Sequence, residues 1–203
     1  VGRIETDKGT NELLKAFRKI SSPEFALLLI GSFDELRCNL DREVVEWAKA
    51  NDRVIFHGFS REVPKYMSAM DILVHPTYRE GFSMVIQQAM AMGCAIITTD
   101  VPGPSEVIEK DKSGWLVPDH NVEKLADAMA RLGSDQSLQS AFSEAGLIRV
   151  KENFERSKML EMTFENRMKM INSDASKPTV KFMVTRSHGV RLLKLCAKRV
   201  ITV

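Results

Sequence analysis

The chain has 203 residues, with 29 Lys and Arg against 27 Asp and Glu, so it carries a net charge of +2 and has room for one full α/β domain or two small ones. That balance excludes a nucleic-acid binder recruited by bulk charge and an acidic disordered segment. A hydrophobic share of 44% with 11 Gly and 7 Pro fits a globular protein with one sizeable core.

Residues 1–4 read as the end of a buried strand. A helix over 11–20 follows, with Leu13, Leu14, Phe17 and Ile20 on one face. The continuous apolar run 25–30, stopped by Gly31, has the pattern of a strand covered on both sides. Helix 41–49, strand 54–56, helix 63–70 and a buried strand 72–75 ended by Pro76 come next. Helix 84–92 stops at Gly93 and leads into strand 95–99. Strand 115–117 and helices 122–132, 138–153 and 157–171 complete the pattern. Alternation of this kind predicts an α/β protein with a parallel sheet between two helical layers. Ligands of such sheets sit beyond the carboxyl ends of the strands, which directs attention to the loops after Ile4, Ile30, Phe56, His75 and Thr99.

Several chemistries are missing from the sequence. There is no G-x-G-x-x-G after a strand, no G-x-x-x-x-G-K-[ST] and no G-x-S-x-G. Asp-x-Asp pairs and His/Cys clusters at zinc spacing are also lacking, so neither a metal nor another cofactor is expected. Cys38, Cys94 and Cys196 are odd in number and far apart, which argues against a disulfide framework and for a reducing compartment. No apolar run approaches the roughly 20 residues of a spanning helix, and no signal peptide is evident.

Two loops carry candidate chemistry. In Gly2-Arg3-Ile4-Glu5-Thr6-Asp7-Lys8-Gly9, Arg3 and Lys8 are placed to converge on a diphosphate; the alternative is solvated loop charges paired with Glu5 and Asp7. In Tyr78-Arg79-Glu80-Gly81-Phe82-Ser83, Ser83 is a candidate helix cap, and free amides lie beside the Glu80 carboxylate. The alternative is an ordinary capped helix with an acid nearby. His57 and His75 fit packing histidines, His120 and His188 surface positions, and Cys94 a small core residue. Met84, Met90 and Met92 fit a buried helix.

The run from Pro76 through Glu80-Gly81-Phe82-Ser83-Met84-Val85-Ile86-Gln87-Gln88 to Gly93 resembles the donor-binding segment of the family-four glycosyltransferases of GT-B architecture. Val1-Gly2-Arg3-Ile4 with Asp7-Lys8-Gly9, Val54 to Phe59, Asp71 to Pro76, Thr98 to Gly103 with Glu106-Val107-Ile108, and Gly114 to Pro118 are similar to further motifs of that family, in its order, over about three quarters of the chain. The resemblance implies a Rossmann-like domain, the C-terminal half of the GT-B fold, followed by helices. It implies a retaining transfer of a hexose-type sugar from a UDP- or GDP-linked donor to a glycan or lipid-linked acceptor, without a metal. Arg3 and Lys8 would hold the diphosphate, and Glu80 would contact donor-sugar hydroxyls as the first acid of a Glu-x7-Glu motif. Gly2, Phe59, Gly81, Phe82, Ser83, Val85 and Gln88 would complete the donor site, with Phe59 near the base. Gln88 departs from the family, standing where a second acid faces the ribose. A binding or assembly module without catalysis is therefore the alternative.

The expected layout is a nucleotide-sugar-binding domain over 1–172, with its first strand truncated, and a basic tail over 173–203. The chain opens on Val1 without an initiator Met and reads as a fragment lacking the N-terminal partner domain, so transfer by this segment alone is not expected. Seven of the basic residues lie in the tail against one acid, leaving 22 basic and 26 acidic residues elsewhere, a net −4. Arg191, Lys194 and Lys198 fit one face of an amphipathic helix suited to an anionic membrane, which suggests a cytoplasmic, peripherally bound protein. The alternatives are a helix packed on the partner domain or a disordered end.

Overall fold

A computed structural model describes residues 1–33 and 39–173. The chain divides into two compact units, Val1–Glu155 and a second beginning at Arg156. The basic tail and Cys38 lie outside the described residues. In the second unit, the described element is one helix, Arg156–Ser173.

The first unit alternates as expected. Helix α1 (Thr10–Arg18) precedes β1 (Leu27–Ile30), α2 (Arg42–Lys49), β2 (Val54–Gly58), α3 (Val63–Met67) and β3 (Ile72–His75). Then follow α4 (Met84–Ala91), β4 (Ala95–Thr99), α5 (Pro104–Val107), β5 (Trp115–Val117), α6 (Val122–Ser134) and α7 (Gln136–Asn153). Among the described residues, all ladders are parallel: β1 pairs with β2, and β4 lies between β3 and β5. Residues 1–4 form no full strand. They run beside β1 through Gly2 N to Ile30 O and Ile4 N to Ser32 O, both 2.9 Å, and one bridge joins Ile4 to Phe33. The expected single sheet is thus two parallel ladders, with these residues and a cavity of about 30 Å³ between β1 and β3. The fold remains the parallel, helix-flanked α/β architecture that the alternation predicts.

The core follows from apolar periodicity. Leu13, Leu14 and Phe17 of α1 join Leu27, Leu29, Val44, Ile97 and Leu132 in one buried cluster, while Ile86, Met90 and Ile96 belong to a second. One helix departs from expectation. Met90 is buried, but Met84 and Met92 are exposed, because Met84, Gln88 and Met92 fall at i, i+4 and i+8 on the outer face of α4. Two short elements have too few residues to show a period, a 3-10 turn at Thr6–Lys8 and α5.

Candidate donor site at the carboxyl edge

Parallel pairing gathers the loops after Ile4, β3 and β4 at one edge. The β3 loop is fastened first by its neighbour. Thr98 Oγ1 donates to the His75 carbonyl at 2.7 Å, and Thr99 Oγ1 donates to that of Thr77. Thr77 Oγ1 contacts the carbonyls of Asp7 (3.2 Å) and Arg79 (2.9 Å), while Tyr78 N donates to Asp7 O at 2.9 Å. Arg79 and Asp7 form an ion pair at 2.6 Å.

Two glycines set how closely these loops approach. Gly9 has φ +65°, and a Cβ there would lie 1.9 Å from the Pro76 carbonyl oxygen. Gly103, at φ +91°, touches the backbone of Glu80 and Gly81, where a Cβ would fall 2.1 Å from the Gly81 oxygen. Both positions therefore need the absent side chain as well as the left-handed backbone.

This frame brings Lys8 and Glu80 together. Lys8 Nζ donates to Glu80 Oε2, and His75 Nε2 lies 3.3 Å from the same oxygen. Burial pushes the Glu80 carboxyl upward, but its hydrogen bond and charge contact with Lys8, aided by His75, outweigh that and hold it below the ordinary carboxylate range. His75 is 5% exposed. Burial first, then the Val1 amine and Lys8, push its pKa down to about 4 against the pull of Glu80. The imidazole is therefore neutral at pH 7.

The sign of that shift gives a pH dependence. Below the unfolded-state pKa of about 6.5, the unfolded chain takes up a proton that folded His75 refuses. Stability is fully present above pH 7 and falls by up to about 3 kcal/mol as pH drops from about 6.5 to 4. Urea midpoints at pH 7.5 and 4.5 should differ accordingly for the chain, and by clearly less for His75→Gln. Equal pH sensitivity of the two proteins would show that His75 is not the titrating group.

The other expected residues are placed as follows. Gly2, Arg3 and Lys8 line the small cavity together with Val74, His75 and Pro76. Arg3 pairs with Glu5 at 3.0 Å. Glu5 is buried, and its other oxygen, Oε2, has no hydrogen-bond partner among the described residues. The two basic residues expected to face a diphosphate thus carry internal partners, one of them the Glu5 that the alternative reading named. Ser83 occupies the N-cap position of α4, but its buried hydroxyl makes no capping bond. The first bond of α4 runs from Gln87 N to Ser83 O, which leaves the Met84 and Val85 amides without intrahelical acceptors. Phe82 packs edge-on against Phe154 with centroids 5.2 Å apart. Phe59 is 72% exposed just beyond β2, and Gln88 is exposed on α4. Neither has a side-chain hydrogen bond, ion pair or ring contact to the Lys8–Glu80 cluster among the described residues.

Sequence reasoning passed over two neighbours. His75 touches Glu80 directly. Gln87 is buried and directs its amide at the carbonyls of Phe82 (3.5 Å) and Ser83 (3.4 Å), bracing the turn from inside. Gln87 precedes Met90 by three residues, so the helical period places it on the inner face. Of the remaining histidines described, His57 meets Tyr66 edge-on and His120 stacks on Tyr78, with centroids 3.8 Å apart. Cys94 is buried with Sγ 3.2 Å from the Met67 carbonyl. Among the described residues, no helix is long and apolar enough to cross a membrane.

The sequence and fold match known proteins. The capsular polysaccharide biosynthesis glycosyltransferase CapM of Staphylococcus aureus is 31% identical over 156 residues, covering 76% of this chain and 41% of CapM. The chain spans less than half the length of the curated relatives it matches. The C-terminal domain of a glycosyl transferase group 1 family protein (LpcC) from Francisella tularensis superposes with a TM-score of 0.69 at 29% identity, covering 77% of this chain and 84% of that domain. Anabaena Alr3699/HepE, solved in complex with UDP, shares the fold with a TM-score of 0.75 at 20% identity, over 83% of this chain and 48% of its own; it has also been solved with UDP-glucose. The family model described as glycosyl transferases group 1 matches residues 1–149, nearly three quarters of the sequence, and the chain belongs to that family.

Proposed function

We propose that this chain is the donor-binding half of a retaining glycosyltransferase that moves a hexose-type sugar from a UDP- or GDP-linked donor to a glycan or lipid-linked acceptor. The observation that carries this reading is the meeting of Lys8 and Glu80 beside the open amides of α4. A cation and a carboxylate side by side match the two ends of a nucleotide-sugar, a diphosphate and a hydroxyl-rich ring. CapM is named for capsular polysaccharide biosynthesis, and HepE holds UDP-glucose, which supports a donor of this class.

In this reading, Lys8 and Arg3 neutralise the charge that grows on the departing diphosphate. Amides around Gly81, Phe82, Ser83 and Val85 add donors at a helix N-terminus. Glu80 accepts hydrogen bonds from sugar hydroxyls, Gly2 lets the phosphates approach the backbone closely, Phe59 receives the base and Gln88 faces the ribose. These groups supply the positive charge of the site without a metal. The acceptor site belongs to a second domain, consistent with a chain spanning less than half of its relatives.

The reading is tested by calorimetric titration with UDP-glucose and GDP-mannose. One of the two should bind, and failure of both overturns the donor-site assignment. In the series that binds, Gln88→Glu should tighten affinity about fivefold, because a carboxylate strengthens a hydroxyl contact by about 1 kcal/mol over a neutral amide. Unchanged affinity would remove Gln88 from the nucleotide. The neutral amide at this exposed position favours a second reading, a binding module without catalysis, which predicts nucleotide binding with no turnover even after a first domain is joined.

A further inference from the structure

Among the described residues, the Glu80 side chain makes two contacts, and both fall on one oxygen. Oε2 receives Lys8 Nζ and faces His75 Nε2 at 3.3 Å, which leaves Oε1 as the oxygen open to an incoming ligand. The two partners differ in mobility. Lys8 sits on a long flexible stem at the end of a one-turn 3-10 segment. His75 is the last residue of β3, in register with Thr98 of β4, and its carbonyl is held by Thr98 Oγ1 at 2.7 Å. The following Pro76 confines His75 to extended backbone. With a side chain only 6% exposed, the imidazole has little freedom to leave.

Lys8 cannot serve Glu80 fully once a diphosphate arrives. A diphosphate carrying two negative charges competes for the ammonium, and a partly buried carboxylate would then lose its main partner. His75 is the group that remains. A carboxylate only accepts hydrogen bonds, so the proton between the two atoms belongs to Nε2, and a neutral imidazole supplies it.

We propose that His75 is a positioning residue for Glu80, its Nε2–H holding Oε2 so that Oε1 stays turned toward the donor-sugar hydroxyls when Lys8 is drawn to the diphosphate. This rests on the nucleotide-sugar reading above. A packing role would affect nucleotide and nucleotide-sugar alike, whereas positioning of Glu80 affects only the sugar increment, the ratio of affinities for a nucleotide-sugar and its parent nucleotide.

The test compares His75→Met, which fills similar space without a donor, with His75→Gln, which places an N–H near the position of Nε2. Affinities of the 203-residue chain for UDP, UDP-glucose, GDP and GDP-mannose are measured by calorimetry. In the series that binds, His75→Met should lower the sugar increment about tenfold with nucleotide affinity within twofold of the original, and His75→Gln should restore it to within threefold. An unchanged increment in His75→Met, or equal loss in both variants, overturns the assignment. If the original chain binds neither series, the nucleotide-sugar reading falls and the assignment with it. A second measurement needs no variant. Long-range proton–nitrogen correlation of the unmodified chain at pH 7 should show His75 as the Nε2–H tautomer, and an Nδ1–H tautomer overturns the proposal even if His75→Met fails to fold.

Discussion

Glu80→Ala should lower affinity for the bound nucleotide-sugar about 10- to 100-fold while leaving affinity for the parent nucleotide unchanged or higher. The first part follows from the energy of a hydrogen bond to a charged acceptor, about 1.5–3 kcal/mol, with a factor of ten for each 1.4 kcal/mol. The second follows from the Lys8 contact. The ammonium is engaged by Glu80, and in the proposed reading removing the carboxylate frees it for the diphosphate. Glu80→Gln should fall between the two, because an amide still accepts from hydroxyls but holds Lys8 weakly. Calorimetry on the three proteins reads both quantities. Parallel loss of nucleotide and nucleotide-sugar affinity would assign Glu80 to loop structure instead of sugar contact.

Gly9→Ala should destabilise the chain by about 3 kcal/mol or more, through a steric clash and an unfavourable backbone conformation together. The added carbon would lie 1.9 Å from the Pro76 oxygen, and backbone on both sides leaves no flexible side chain to yield. For a unit of this size, the loss corresponds to a melting temperature lower by about 6 °C or more. Gly81→Ala is the matched control, since nothing lies within 4 Å of a Cβ there and its φ is not left-handed. Its melting temperature should stay within about 2 °C of the original. Equal melting of Gly9→Ala and the original would mean that the two loops separate freely.

What the sequence revealed depended on the range over which its signals act. The strand and helix order was readable because each element carries its own period, and the parallel sheet followed from that order. Lys8 and Glu80 were readable as separate loop residues at one edge. Their mutual contact was not, because no local pattern encodes which loop tips touch. His75 shows the difference most clearly. A single histidine ending an apolar run has the signature of a packing residue, and its reach to Glu80 depends on the turn through 76–80 that Asp7 and Thr99 hold. Arg3 was expected to face a ligand, but the structure pairs it with the buried carboxylate of Glu5. Ser83 occupies the expected cap position, yet its buried hydroxyl makes no capping bond, which the capping pattern alone does not decide. The adjacent Gln87 and Gln88 looked alike by composition, and helical phase separates them into an inner brace and an exposed outer residue.

The span of chain between the two halves of the ion pair has a consequence for how the site comes into being. Lys8 and Glu80 are 72 residues apart, as are Asp7 and Arg79. Closing a loop of that length costs on the order of 4 kcal/mol in chain entropy, comparable with or larger than either ion pair returns. The pairs therefore cannot recruit one another in a loosely ordered chain. They form when β1, β3 and β4 have already condensed and carried both loop tips to the same edge. The site is thus a late product of folding, with no local precursor, and a ligand that occupies it stabilises the assembled unit as a whole by mass action.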